Sequence, residues 1–536
     1  MKRSLTKLIG ITLLAVSMTL TSFPVNARAA EPINVPQSTQ VQTVDDESMS
    51  QALIKSEKNI AEEVENTKRD KVQEPQKGPQ KLDVQEKNEE KESLNTSEID
   101  KSINLENEIT SIENEISNID KIEKEETTDI TEATPVEVPN LAATNITEGN
   151  DYPIILVHGF LGFGRDELLG YKYWGGVVDI QEELRDLGHE TYTATVGPVS
   201  SNWDRACELY AYIVGGTVDY GEAHAKKFGH ERYGRTFPGV YKKISDENKI
   251  HLIGHSMGGQ TIRTLTQLLS EGCEEEKACG QENLSPLFEG GKHWIHSVTT
   301  IATPNNGTTL SDVMPARDYL SAVFGALGKI TGSNKLFSSL YDFKLDQWGL
   351  TREPGERFWD YKERVLNSNI WYKTKDIASY DLSTKGAIEL NKWVKTQPDV
   401  YYFSWTTCAT REEILTGYSI PKVGLILGSM NPAFVPQSMK MGSYTPHIKG
   451  MPNRDPRWYP NDGVVNTYSQ DGPKLGEKPV IKDFDNIKDF YNKVKKGEWN
   501  VVHRFDEMDH MDAVGTFGDV EELYTKHAKQ LSNLSK

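Results

Sequence analysis

Between Glu31 and Asp151 the chain has no phenylalanine, tyrosine, tryptophan or histidine, and apart from Phe23 every aromatic residue stands at or after Tyr152. A stretch so poor in large apolar side chains cannot bury enough surface to offset its ordering entropy. Net positive charge is also missing. The chain has 60 Lys and Arg against 79 Asp and Glu, a net of −19, which excludes a nucleic-acid binder resting on a basic surface. After the first thirty residues no apolar run reaches the ~18 residues of a spanning helix, which excludes a polytopic membrane protein. Cysteine is scarce, with only Cys207, Cys273, Cys279 and Cys408. Cys273 and Cys279 close a short polar loop and could pair. Cys207 and Cys408 cannot be paired from sequence, and none of the four has a catalytic context.

What is present divides the chain into three. Residues 1–30 carry four basic groups and no acidic ones. Lys2, Arg3 and Lys7 precede an apolar run from Leu8 to Phe23, and Ala27-Arg28-Ala29 offers small residues at the −3 and −1 positions of a cleavage site. This reads as a secretory signal over 1–29, cut near Ala29, so the product is expected to be extracellular. Residues 31–150 carry 12 basic and 29 acidic groups, a net of −17. The segment 30–150 is expected to be a largely disordered pro- or spacer segment, either a folding aid removed later or a cell-wall spacer. Within it Leu105, Ile109, Ile112, Ile116 and Ile119 follow the 4-3-4-3 spacing of a coiled-coil seam. That run is too short for a stable coiled coil, so a transient amphipathic helix is the expectation. Residues 151–536, with a net of only −6, are long enough for one sizeable core.

The third region alternates strand and helix patterns. Strand-like runs are Tyr152–Val157, Glu190–Val196, Lys249–Ile253, His296–Ala302 and Asp399–Ser404; helical spacing marks Ile180–Leu187, Ala206–Val214 and Met257–Ser270. This predicts an α/β fold with a mostly parallel sheet and helices on both faces.

Gly254-His255-Ser256-Met257-Gly258 follows one of these strands directly and opens the next helix. G-x-S-x-G in that context is a nucleophile elbow, with Ser256 Oγ presented at the C-terminal edge of the sheet and a helix N-terminus facing developing negative charge. His158-Gly159-Phe160 follows the first strand. In such an arrangement the residue after the nucleophile, Met257, and an early loop residue, Phe160, supply oxyanion-hole N–H groups. A base and an orienting carboxylate must follow in the order Ser, Asp/Glu, His. Asp462 in Pro460-Asn-Asp-Gly-Val-Val-Asn466 is a candidate acid among many carboxylates. His503, His510 and His527 are the late histidines; His527 reads as a surface residue of a terminal helix over Val520–Leu531, and spacing leaves His510 and His503 both open.

Several longer stretches carry a resemblance. They are Tyr173-Trp-Gly-Gly176, Gly197-Pro-Val-Ser-Ser-Asn-Trp-Asp-Arg-Ala206, Gly215-Gly-Thr-Val-Asp-Tyr-Gly221, Ser297-Val-Thr-Thr-Ile-Ala-Thr-Pro304, Tyr341-Asp-Phe-Lys-Leu-Asp-Gln-Trp-Gly-Leu350 and Asn461-Asp-Gly-Val-Val-Asn466. With them, residues 151–536 resemble the large secreted lipases of staphylococci and thermophilic bacilli, which have the α/β-hydrolase fold. The resemblance implies Ser256 as nucleophile, Asp462 as orienting acid, His510 as base, and Phe160 with Met257 as oxyanion donors. It implies a structural zinc site on Asp204, His224, His230 and Asp346, pinning an inserted segment to the core. Two imidazoles and two carboxylates suit a closed four-ligand zinc site. It also implies a structural calcium near the histidine, held by the Gly428 carbonyl, Asp509 and Asp512. Where the family has a further Asp this chain has Thr516-Phe517-Gly518, and Asp519 could substitute with a shifted loop.

Tyr319–Ile330 is apolar at helical spacing and reads equally as a lid helix opening at an oil–water interface or as a buried core helix. The expected function is therefore a secreted triacylglycerol lipase acting on lipid esters at an interface through a Ser-Asp-His triad and an acyl-enzyme. Phospholipase A1-type activity, short-chain carboxylesterase activity, and a surface-associated binding protein with a vestigial site remain the alternatives. Chain-length preference and oligomeric state are not legible.

Overall fold

The computed structural model describes residues 149–536 apart from 166, 168–170, 177, 316, 319, 321–340, 424–429, 484–493 and 516–519. The signal, the 30–150 segment up to residue 148, nearly all of the Tyr319–Ile330 helix, Gly428 and Asp519 lie outside the described residues. Among the described residues no helix is long and apolar enough to cross a membrane.

Seven strands form the central sheet: β1 (Ile154–Val157), β2 (Thr191–Ala194), β5 (Ile250–His255), β6 (Ile295–Ile301), β7 (Tyr401–Thr407), β10 (Ile481–Asp483) and β11 (Trp499–Phe505). Their order is β2-β1-β5-β6-β7-β11-β10, and every pairing is parallel. Two antiparallel hairpins stand apart, β3 (Gly216–Asp219) with β4 (Tyr233–Phe237) and β8 (Thr410–Glu412) with β9 (Ser419–Pro421).

Successive side chains of a strand point to opposite faces, and β1 shows it. Ile155 and Val157 join one core with Leu252, Val298 and the apolar faces of helices α2 (Asn202–Val214) and α4 (Met257–Glu271). Ile154 and Leu156 join a second core, with Ile253, Ile301, Trp405 and the helices α1 (Ile180–Asp186) and α6 (Glu521–Ser532). The sheet is therefore buried on both sides, as a parallel sheet must be. A third apolar cluster gathers Val199, Phe343, Phe358, Tyr361 and Ile377.

After β1 the chain winds outward to β2 and then returns to the other side of β1 as β5. The strand order thus reverses between β1 and β5, and the crevice outside the C-terminal ends of strands at such a point is where ligands bind in open α/β sheets. Two sequence expectations are corrected. His527 is buried, with Nε2 2.8 Å from Thr299 Oγ1, because it lies on the apolar stripe of α6 with Tyr524, Ala528 and Leu531. All four cysteines are free, so Cys273 and Cys279 are not paired.

Candidate active site

Ser256 stands between the last residue of β5 and the first of α4, with φ 54° and ψ −128°. A non-glycine residue in that region costs ~1–3 kcal/mol and persists only where its surroundings enforce it. Here they do. A Cβ on Gly258 would sit 2.2 Å from the Val157 carbonyl oxygen, and one on Gly254 would sit 2.5 Å from the Gly258 backbone. The strand-to-helix turn closes only because both flanking positions lack side chains. The Met257 N–H, at the start of α4, has no carbonyl available within the helix.

The loop after β1 packs on this elbow. A Cβ on Gly159 would meet the Ser256 Cβ at 2.6 Å, which brings the Phe160 backbone next in line. Beneath it lies the buried Arg205, which donates to the carbonyls of His158 and Gly197 and to Thr261 Oγ1. Burial pulls the Arg205 pKa down to about 10. Glu208, one turn on, accepts from the Gly197 N–H and from Tyr220 Oη–H, and burial pushes its pKa up to about 7.

A buried chain of hydrogen bonds runs across the site. His255 Nε2 is 2.9 Å from the His510 carbonyl oxygen and Nδ1 is 2.6 Å from Tyr173 Oη. A carbonyl only accepts, so Nε2 carries the proton and Nδ1 accepts from the Tyr173 hydroxyl. Tyr173 Oη in turn accepts from the Gly159 N–H at 2.9 Å. Burial, then the neighbouring His510, hold the His255 pKa well below the usual range, keeping the ring neutral.

His510 Nδ1 is 2.9 Å from Asp462 Oδ2, and the His510 N–H donates to the Asp462 carbonyl at 3.0 Å. Asp462 is wholly buried. Its Oδ1 accepts from Val464 N (3.0 Å) and Val465 N (2.7 Å), and its Oδ2 also from Thr407 Oγ1 (2.7 Å) and Gln470 Nε2 (3.1 Å). Four donors besides the imidazole fix the carboxylate, so Nδ1 bears the proton and Nε2 is left as a base. The His510 ring lies 4.7 Å from that of His255, adjacent in sequence to Ser256. Among the described residues Ser256 Oγ and His510 form no hydrogen bond; such contacts tighten on substrate binding in many hydrolases. His503, the alternative, packs instead against Trp405 and Phe505.

A second polar cluster lies where α2 meets helix α3 (Glu222–Phe228). It consists of Asp204, His224, His230 and Asp376, whose donor atoms all lie within 4.8 Å of one another. Asp204 Oδ1, His224 Nε2, His230 Nε2 and Asp376 Oδ2 are buried and have no hydrogen-bond partner. His224 Nε2 is 3.4 Å from Asp204 Oδ1 and 3.1 Å from Asp376 Oδ2, and His230 Nε2 is 3.1 Å from the same Asp376 oxygen. A tetrahedron of ligands at ~2.0–2.1 Å has edges of about 3.3 Å, so the four fit one small cation. Their supports fit as well. His230 Nδ1 donates to the Glu231 carbonyl, which leaves Nε2 with its lone pair, and Gln347 Nε2 donates to Asp204 Oδ2. Burial opposes charge on His224, yet Asp204 and Asp376 raise its pKa to about 9. Burial, then Asp376, push Asp204 upward. Four facing polar atoms without partners are costly, and a cation relieves that cost.

Asp509 and Asp512 flank His510. Asp509 accepts from the N–H groups of Met511, Asp512 and Asn431, and Asp512 Oδ2 accepts from the Asp509 N–H. Burial and the charge of Asp509 push Asp512 up to about 7.

Residues 150–534 match the family model described as the lipase-like C-terminal domain. The chain belongs to that family. It is 39% identical over 375 residues to Lipase 1 of Staphylococcus aureus, covering 68% of this chain and 51% of that protein. It thus spans about half the length of the curated relatives it matches. EstA from Clostridium botulinum is similar at 68% identity and TM-score 0.70, covering 76% of this chain and 93% of that one. Lipase 1 from Pelosinus fermentans is similar at 50% identity and TM-score 0.64, covering 72% and 100%.

In this lipase-like domain one residue expected in the cluster stands outside it. Asp346 is not in the cluster, because Arg235 claims its carboxylate through Nε (2.7 Å) and a terminal nitrogen (2.5 Å). The next residue, Gln347, is the one that reaches Asp204. Asp376, buried and pulled below the usual carboxylate range by His224 and His230 despite its burial, is the fourth member of the cluster. Nothing local in the sequence marks Asp376. Thr407, Gln470, Tyr173 and His255 were also missed as supports; His255 carried a signal as the x of G-x-S-x-G, and Tyr173 as the first residue of the Tyr173–Gly176 stretch.

Proposed function

We propose that this lipase-like domain is a serine carboxylic ester hydrolase acting on lipid esters, a triacylglycerol lipase. The observation that carries this reading is the convergence of the Ser256 elbow, the Gly159–Phe160 loop and the His510–Asp462 pair at the sheet's switch point. In this mechanism Ser256 Oγ attacks the ester carbonyl carbon as His510 Nε2 takes its proton. Asp462 holds the tautomer and stabilises the imidazolium. The N–H groups of Phe160 and Met257 receive the oxyanion. The alcohol departs with the proton from His510, leaving an acyl-Ser256. Water then attacks that acyl group, gives its proton to His510, and the acid leaves as Ser256 regains a proton.

Asp204, His224, His230 and Asp376 would hold zinc, the ion suited to two imidazoles and two carboxylates. Four protein ligands leave no open position for substrate, so its contribution is structural. Gly428, Asp509, Asp512 and Asp519 would hold calcium beside His510. The chain would be exported by residues 1–29, with 30–150 as a pro- or spacer segment ahead of the catalytic domain 151–536. Ser256→Ala tests the core of this reading. Hydrolysis of emulsified trioleoylglycerol and of a soluble short-chain ester should both fall by several orders of magnitude with folding intact. A retained rate ends the assignment, and Ser256-dependent activity on the short ester alone makes the protein an esterase.

A further inference from the structure

Ile414 and Leu415 are 94% and 92% exposed, at the tip of the β8–β9 hairpin. Isolated exposed apolar residues are ordinary, but this pair is held out by a built turn. The Glu413 carboxylate accepts from Leu415 N (3.0 Å), Thr416 N (2.9 Å) and Thr416 Oγ1 (2.7 Å). The Gly417 N–H donates to the Glu413 carbonyl at 2.8 Å, and the Glu413 N–H donates to the Tyr418 carbonyl at 2.7 Å. The N–H groups of Glu413, Leu415, Thr416, Gly417 and Tyr418 are therefore paired within the tip. That lowers the cost of leaving water, since unpaired backbone groups are what make an apolar medium hostile to a loop.

The hairpin is also placed next to the candidate site. It continues from β7, whose Thr407 holds Asp462. The Ala409 N–H donates to the Asn461 carbonyl and Thr410 Oγ1 accepts from Asn461 N, so the root of the hairpin is bonded to the residue before Asp462. Val423, just past β9, is 70% exposed. Met439, on helix α5 (Val435–Met441), which packs on β9, is 55% exposed. Tyr418, an amphipathic side chain suited to a water–lipid boundary, lies under the Arg454 guanidinium at 5.5 Å. The charges around the tip, Arg411, Glu412, Glu413, Lys422 and Arg454, are of mixed sign, which favours an uncharged surface over an anionic one.

We infer that the β8–β9 hairpin is an interfacial anchor: Ile414 and Leu415 enter the surface of a neutral lipid-ester aggregate and hold the C-terminal edge of the sheet against it. This rests on the reading that the substrates are lipid esters.

The test separates binding from catalysis. The full chain carrying Ser256→Ala, which cannot consume the probe, is mixed with trioleoylglycerol emulsion and the bound fraction is measured by flotation. Adding Ile414→Ser and Leu415→Ser should lower the partition coefficient on the order of tenfold per side chain, with little dependence on salt. The same pair in the Ser256 background should leave kcat/KM on a soluble short-chain ester within twofold. Unchanged flotation overturns the anchor, and so does an equal loss on the soluble ester. Preference for phosphatidylglycerol vesicles that salt abolishes also overturns it, as does a lipid-free dimer that the double substitution dissociates. Tip-dependent flotation without any Ser256-dependent hydrolysis would sustain the anchor and sink the functional reading instead.

Discussion

Tyr173→Phe removes one oxygen atom from the candidate site, and the structure says what that atom does. It accepts from the Gly159 N–H at 2.9 Å and donates to His255 Nδ1 at 2.6 Å. Gly159 and His255 are both buried, so neither lost partner is replaced by bulk water. Each of the two orphaned groups costs ~1–3 kcal/mol, so the substitution should destabilise the fold by about 2–6 kcal/mol. Gly159 directly precedes Phe160, the proposed oxyanion donor, and His255 directly precedes Ser256 and carries the His510 carbonyl on its other nitrogen. Losing a whole oxyanion donor costs ~10²–10³ in kcat; a donor that is displaced but present should cost less, about 10–100-fold. The effect should fall on kcat and leave KM nearly unchanged, because the oxyanion forms only after substrate is bound. The assay is steady-state hydrolysis of a soluble short-chain ester beside urea unfolding of the same preparations. If stability falls by ~2 kcal/mol while kcat stays within twofold, the chain holds the fold together but does not position the oxyanion loop. If neither changes, the hydrogen bonds are not there to be lost.

Two further outcomes follow from the site. Asp376→Asn should weaken zinc binding by at least about a hundredfold, since it removes a carboxylate that would touch the ion, where losing a group that only supports a ligand costs ~10–100-fold, whereas Asp346→Asn should leave metal content intact; competition with a chelating dye decides, and the reverse pattern would restore Asp346 as ligand. Glu208 has its pKa raised by burial to about 7 from an unfolded value near 4.5, so between those values the folded state binds the extra proton and stability declines as pH rises, the loss being complete above about pH 7. Glu208→Gln should flatten that decline by on the order of 3 kcal/mol at most between pH 4.5 and 8, read from urea unfolding across the range; an unchanged slope would show that the carboxyl is already ionised at pH 5.

What could be read in the sequence is what is written within a few neighbouring residues. G-x-S-x-G works because Gly254 and Gly258 meet each other and Val157 across a single turn. The alternation of Ile154 to Val157 marks a strand because side-chain direction there depends only on the next residue. The buried face of α6 was equally legible, since Tyr524, His527, Ala528 and Leu531 fall on one helical stripe; His527 was misplaced by giving its polarity more weight than its spacing. The supports of the site are different in kind. Tyr173 meets His255 across 82 residues, and Thr407 meets Asp462 across 55. Asp376 has no motif around it; it is brought to Asp204 because the Ala378 N–H donates to the Val199 carbonyl, folding its segment back onto the start of α2. Family likeness put the fourth ligand position on the segment 341–350, which reaches the cluster only as a support through Gln347 while Asp346 turns to Arg235; the fourth member, Asp376, comes from another segment.

The membership of Asp376 bears on what a cation in this cluster would do. A ligand at Asp346 would tie α3 to the segment already held by Arg235. A ligand at Asp376 ties α2 and α3 to the chain that runs on into Ile377, a member of the third apolar cluster. Closing a longer loop costs more entropy in the unfolded chain, so a cation there gains more from the cross-link. Removal of the metal should therefore be felt first in the packing around Phe343, Phe358 and Ile377, and in the rate only as far as that layer supports the loop after β1: Phe160 and Leu161 pack against that same cluster.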